Sequence, residues 1–331
     1  MLRAQTRTAW KALWPLPCDK VIETLTIGIR FALYVNLMLL FGLPLFGLYA
    51  LRGAERLHST VLPLRALTIW LALLATGLSV LSIMAMTASM AGVSLFETDR
   101  ASVNMMISET PMGNAWQARM AALLGSLYLA VALGGRKGPT WLVLISLGAA
   151  TALASLAWTG HGAASDGIVG TRHLIADIVH LLASGAWIGA LAALGTMLFR
   201  PSATMTDDHL KLTHRALEGF SLVGTVIVAL IVASGLVNSY MLVGPAHVLS
   251  LPSTLYGQLL MAKLALFGIM LALAAANRFR LAPAFDQAIT NGGTSAAISH
   301  LRRSLLFEAS AALLILGLVA WLGTLEPPMS M

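Results

Sequence analysis

The chain has one cysteine, Cys18, and 14 acidic residues against 21 lysines and arginines in 331 residues. A single thiol excludes an internal disulfide, a CxxC metal motif and any cysteine-held cluster. Charged residues of both signs make up only 11% of the sequence, where a soluble domain of average composition has roughly a quarter. That scarcity excludes an ordinary water-soluble domain. No GxxxxGK followed by Ser or Thr is present, so nothing points to direct use of a nucleoside triphosphate, and no basic tract suggests nucleic acid as a partner. Residues 1–20, MLRAQTRTAWKALWPLPCDK, lack an apolar core, so neither a secretory signal nor a lipoprotein leader is expected there.

What the chain has instead is apolar length. Hydrophobic residues are 58% of it, gathered into runs at about 24–51, 64–90, 115–134, 139–160, 172–199, 216–242, 254–278 and 299–324. Each matches the ~20 residues that cross ~30 Å of hydrocarbon at ~1.5 Å per residue. Backbone in lipid must satisfy its own hydrogen bonds, and the runs lack the ten-residue alternation of membrane strands. The expected fold is therefore an all-α integral membrane protein, a bundle of eight transmembrane helices. The expected organisation is a basic amphipathic interfacial arm over 1–23, one bundle over 24–324 and a short tail over 325–331. The connections 91–114 and 279–298 are too short for a further domain.

Basic residues in short loops favour the cytoplasmic side. One set of loops holds Arg52, Arg56, Arg65, Arg136, Lys137, Arg200, Lys211, Arg215, Arg278, Arg280, Arg302 and Arg303, twelve in all, against Arg100, Arg119 and Arg172 in the other. Both termini are expected outside the cytoplasm, with the basic arm lying flat on anionic headgroups. The outer loop 91–114 carries Glu97, Asp99 and Glu109 against Arg100, a negative field that would concentrate cations. His58, His209, His214 and His300 fall in the inner loops, where solvated histidines are expected.

The fifth run contains TRHLIADIVHLLASGAWIGAL, residues 171–191. His173, Asp177, His180, Ser184 and Trp187 stand at helical spacing on one face. Ionisable groups in a membrane cost several kcal/mol unless paired or hydrated, so that face is expected to turn into the bundle. Imidazole ligates copper, zinc or iron, and a neighbouring carboxylate fixes its tautomer. TGHGAASDG, residues 159–167, brings His161 a short loop away. SIMAMTASMAG, residues 82–92, sets Met86 and Met90 four apart on one face, and thioethers suit Cu(I). Two plainer readings stand beside these. Asp177 pairs with Arg30 or Arg119 while the histidines bond backbone carbonyls, or the methionines simply fill apolar gaps.

Lys263, Glu308, Asn277 and Arg278 mark either an inner path or structural ion pairs, with Glu308–Arg278 the expected pair. Trp187, Gly185 and Gly189 read as close-packing positions.

GH at 160–161, ADIVHLLASGAWIGAL at 176–191, SGLVNSYMLV at 234–243, LYGQLLMAKLAL at 255–266, AANRFRLAP at 275–283 and LRRSLLFEAS at 301–310 together resemble the bacterial copper-resistance protein D family, CopD/PcoD. TASMAG at 87–92 and ETPMGNAWQARM at 109–120 extend the resemblance over nearly the whole chain. It implies a multi-pass bacterial inner-membrane protein with both termini periplasmic, and copper transport from periplasm to cytoplasm in copper homeostasis and resistance rather than enzymatic turnover. It also implies a separate periplasmic donor of the CopC type. It points to His161, Asp177, His180 and the second-run methionines as copper contacts, with His173 less firmly among them. The rival reading is a haem-binding membrane electron carrier or oxidoreductase that uses the same histidines as axial ligands.

Overall fold

The computed structural model describes residues 18–56, 61–134, 139–160, 167–201, 205–291 and 294–328, and every regular element among them is helical. The helices are α1 (Cys18–Ala50), α2 (Leu64–Ala91), α3 (Arg100–Glu109), α4 (Pro111–Ala132), α5 (Thr140–Ala154), α6 (Gly167–Leu198), α7 (Asp207–Val243), α8 (Leu255–Ala276), α9 (Ala282–Asn291) and α10 (Thr294–Leu322). A 3-10 turn carries α5 on through Thr159, and a π-type turn over Asn277–Leu281 joins α8 to α9.

The eight expected spans are α1, α2, α4, α5, α6, α7, α8 and α10. Seven are long and apolar enough to cross a membrane. The eighth, α4, has 22 residues, ~33 Å, but begins PMGNAWQARM, which lowers its apolarity. It stands between α2 and α5, and buries Arg119 there.

Helices outrun their apolar stretches where a cap carries the backbone further. Asp207 begins α7, nine residues before the apolar run, because Thr206 accepts a hydrogen bond from the His209 amide at 3.3 Å. The outer connection 91–114 is itself ordered. Gly92 ends α2 in the left-handed region at φ 66°, Ser94 and Glu97 form a capping box, and Asp99 caps α3 by accepting from Ser102 N at 2.9 Å. Two acidic residues expected to supply a field thus also serve as caps.

The central element is α1, packed against α2, α5, α6 and α10, with Leu33, Leu37, Leu40, Phe46 and Leu51 buried. It crosses α6 so closely that a side chain on Gly42 would strike the Gly185 carbonyl, and one on Gly189 would strike Gly42. Small residues that let two backbones touch are the usual packing device in lipid. Trp70, Tyr128, Leu147, Leu222 and Leu236 face outward, fully compatible with a hydrocarbon surround.

Arginines gather at one end of the bundle for a local reason. Arg56 donates to the carbonyls of Gly47, Leu48 and Leu51, Arg65 to Ala130 and Val131, and Arg302 to Leu198 and Arg200. These are the last carbonyls of α1, α4 and α6, left without intrahelical partners and at the negative end of each helix dipole. We call this the lower end. The upper end is where α1 begins and α10 finishes.

Candidate metal site

A cavity of about 450 Å³ opens at the upper end, walled by α1, α6, α7, α8 and α10. Most of its lining is aliphatic. Its polar groups are Arg30 and Tyr34 on α1, His173, Asp177, His180, Ser184 and Trp187 on α6, Asn238 and Ser239 on α7, and Tyr256 and Lys263 on α8. The inward face expected of the fifth run is the face that forms this wall.

His180 is held by a side chain of α7. Its Nδ1 lies 3.1 Å from Ser234 Oγ, which also lies 2.6 Å from the Leu230 carbonyl. In the tautomer that carries its proton on Nδ1, Ser234 accepts from it while donating to Leu230, and Nε2 keeps its lone pair. Gly235 makes room for the ring, since a methyl there would meet His180 Cε1 at 3.4 Å. An imidazole fixed through one nitrogen and open at the other is the arrangement metal-binding histidines use.

Asp177 lies one turn above His180. Asn238 Nδ2 donates to its Oδ1 at 3.4 Å, and Lys263 and Arg30 act on it electrostatically, Lys263 the more strongly. No ion pair within 4.0 Å forms at Asp177 among the described residues. The alternative pairing with Arg119 does not occur, because Arg119 turns to Ser155 Oγ at 2.8 Å. Arg30 donates to the Thr159 carbonyl at 3.3 Å and packs on Gly323, where any side chain would collide with the guanidinium. Lys263, grouped by sequence with the inner residues, stands in the upper cavity with Asp177 and His180.

The remaining expected ligands distribute as follows. His173 is buried and lines the same cavity. Met86 and Met90 line a separate pocket of about 150 Å³, whose wall shares Arg30 and Tyr34 with the larger cavity. His161 lies outside the described residues, but its neighbour Gly160 stands so close to Asp177 that a Cβ there would lie 4.0 Å from Oδ2. Among the described residues no three of His, Cys, Asp and Glu converge as a finished metal site.

A further cavity of about 790 Å³ lies at the lower end, lined by Asn277, Arg278 and Glu308 together with His214, Glu218, Asp286 and Trp187. Glu308 is buried on α10 and accepts from Asn277 Nδ2 at 2.9 Å. The expected Glu308–Arg278 pair is absent. Arg278 instead donates to Thr225 and stacks over the Phe279 ring, 5.3 Å from its centroid, since the π-type turn swings it outward. The inner histidines are also not uniformly solvated. His209 is buried with Nε2 3.0 Å from the Met197 carbonyl, and His214 lies 3.6 Å from Asp286. Sequence spacing missed both, because their contacts come from other helices.

A helical membrane bundle that gathers imidazole, carboxylate and ammonium around a cavity is a polytopic membrane protein with a candidate functional site at those ionisable groups. The particular family follows from comparison with known proteins. The family model for the copper resistance protein D-like N-terminal domain matches residues 21–171, and that for copper resistance protein D matches residues 214–322. The chain belongs to the copper resistance protein D family. It is 48% identical over 307 residues to copper resistance protein D of Pseudomonas syringae pv. tomato, covering 93% of this chain and 98% of that protein. It is 26% identical over 264 residues to inner membrane protein YebZ of Escherichia coli, covering 79% of this chain and 86% of that protein. No solved structure matches. The stretch between the two family models, 172–213, contains His173, Asp177 and His180.

Proposed function

We propose that this protein moves copper ions across the bacterial inner membrane from periplasm to cytoplasm, as a transporter and not an enzyme, using the upper cavity as its receiving site. The observation that carries this reading is His180, an imidazole held through Nδ1 by Ser234 and one helical turn from Asp177, in a largely aliphatic cavity. Membership of a copper-resistance family supplies the metal.

In this reading the upper end faces the periplasm and both termini lie there, which agrees with the excess of basic residues, twelve against three, in the loops assigned by sequence to the cytoplasmic side. Copper arrives from a periplasmic carrier of the CopC type. His180 ligates it through Nε2, Asp177 offsets its charge, and His161, the next residue in sequence after Gly160, joins them. His173 lies a further turn up α6 as a contact on the way in. Met86 and Met90 offer thioethers in the adjoining pocket, a staging point on the far side of Arg30 and Tyr34. Lys263 and Arg30 are the cations that act on Asp177, Lys263 the more strongly, and an incoming ion takes over the role of the Lys263 ammonium.

The test is copper flux into vesicles that hold the purified chain and enclose a copper-chelating dye. Wild-type protein is expected to carry copper and His180→Ala to lose both binding and flux. Undiminished flux in that variant overturns the site, and a purified sample with a Soret band and no bound copper overturns the metal in favour of haem.

A further inference from the structure

The two large cavities meet at one side chain. Among the described residues only Trp187 lines both, as the last polar group of the upper cavity and the first of the lower. It is 3% exposed, and lies seven residues on from His180, ~10 Å deeper along α6. Its ring meets Phe220 of α7 edge-on, with centroids 5.5 Å apart and an interplanar angle of 69°. Phe220 belongs to the lower cavity. The indole and Glu308 interact, yet neither Trp187 Nε1 nor Glu308 Oε1 has a partner in good hydrogen-bond geometry. A buried indole N–H and a buried carboxylate oxygen that meet only in poor geometry are a costly combination unless something else completes them.

We propose that the two cavities are halves of one cation path divided by Trp187, and that Glu308 with Asn277 is a second, lower cation station. This rests on the copper reading for the identity of the ion. Glu308 is suited to the role because Asn277 holds one oxygen at 2.9 Å and Trp187 also interacts with the carboxylate, while no ion pair forms at it among the described residues, so it is oriented without being neutralised by a cation. Below it, His214 lies 3.6 Å from Asp286 and 3.9 Å from Glu218, a polar mouth on the same cavity. The donors also change in kind along the path. Imidazole above binds copper more firmly than carboxylate and amide oxygen below, which favours release on the lower side. Trp187 with Phe220 keeps the two stations from being open to water together, the requirement for carrying an ion instead of leaking it.

Two measurements test this, one of them independent of copper. On a Cys18→Ser background, Ser184→Cys reports the upper cavity and Ser221→Cys the lower. A membrane-impermeant cationic thiol reagent is expected to label Ser184→Cys from the upper side only and Ser221→Cys from the lower side only. Adding Trp187→Ala is expected to make each reachable from both sides. Labelling of both cysteines from both sides with Trp187 intact, or no change on its removal, overturns the partition. In dye-loaded vesicles, Glu308→Gln is expected to keep copper binding within about twofold and cut flux at least tenfold, with Glu308→Asp recovering part of it. Wild-type flux in Glu308→Gln overturns the station while the upper copper site stands. Absence of flux in the parent chain overturns the copper reading and the station with it, and the labelling pattern still decides the partition.

Discussion

Ser234 Oγ on α7 lies 3.1 Å from Nδ1 of His180 on α6 and so holds the imidazole through that nitrogen. Removing an orienting partner of this kind weakens metal binding roughly 10- to 100-fold. Ser234→Ala is expected to do so with no further loss when combined with His180→Ala, and Ser234→Thr to retain most of the affinity. Equilibrium copper binding to the purified chain measures it. Equal affinities for wild type and Ser234→Ala would mean that the tautomer is set elsewhere.

In the proposed site Lys263 and copper compete for one carboxylate, that of Asp177. Replacing the ammonium by an apolar chain of similar length, Lys263→Met, removes the competitor from a poorly solvated site, so copper affinity is expected to rise roughly tenfold or more. The same change should slow release and lower flux. Isothermal titration alongside vesicle flux separates the two effects, and unchanged affinity would show that Lys263 does not face the ion.

The crossing of α1 and α6 permits no side chain at Gly42 or Gly189. Gly189→Ala must separate two backbones, and overpacking of this sort costs about 1–3 kcal/mol. Gly195→Ala on the same helix is the control, because its methyl would meet only Leu305 at an ordinary 3.7 Å. Thermal unfolding in detergent is expected to show a clear drop in Tm for the first and little or none for the second.

Asp99 caps α3 outside the membrane, and hydrogen bonds from Ser102 hold its carboxyl below the ordinary carboxylate range. A depressed folded value means the cap contributes fully above the ordinary pKa of about 3.9 and fades as pH falls through the lower folded value. Asp99→Ala is expected to speed amide exchange at Ser102 and Val103 near neutral pH, and the difference from wild type to vanish in strong acid. A difference that persists there would assign the protection to something other than the carboxylate.

Much of the architecture was legible in the chain because lipid imposes a simple rule: backbone groups must pair within each segment, so long apolar runs are helices. The inward turn of His173, Asp177 and His180 followed from spacing and from the cost of ionisable groups in hydrocarbon. Helix ends were less legible. Caps such as Thr206 and Asp99 extend or create helices in polar sequence that hydropathy leaves blank. Partners were least legible of all. Glu308 was expected beside Arg278 and found beside Asn277, because a π-type turn rotates two adjacent residues to different sides.

The sequence by itself determined the membrane bundle, the polar face of α6 and the small residues that let α1 and α6 touch, since each depends on periodicity within one segment. Only the tertiary structure decided that Met86 and Met90 stand in a pocket apart from His180, that Lys263 belongs to the upper cavity, and that Trp187 lines both large cavities. Those facts depend on the rotation and depth of each helix relative to its neighbours. Both are set by packing between segments, which no repeat within a single one records.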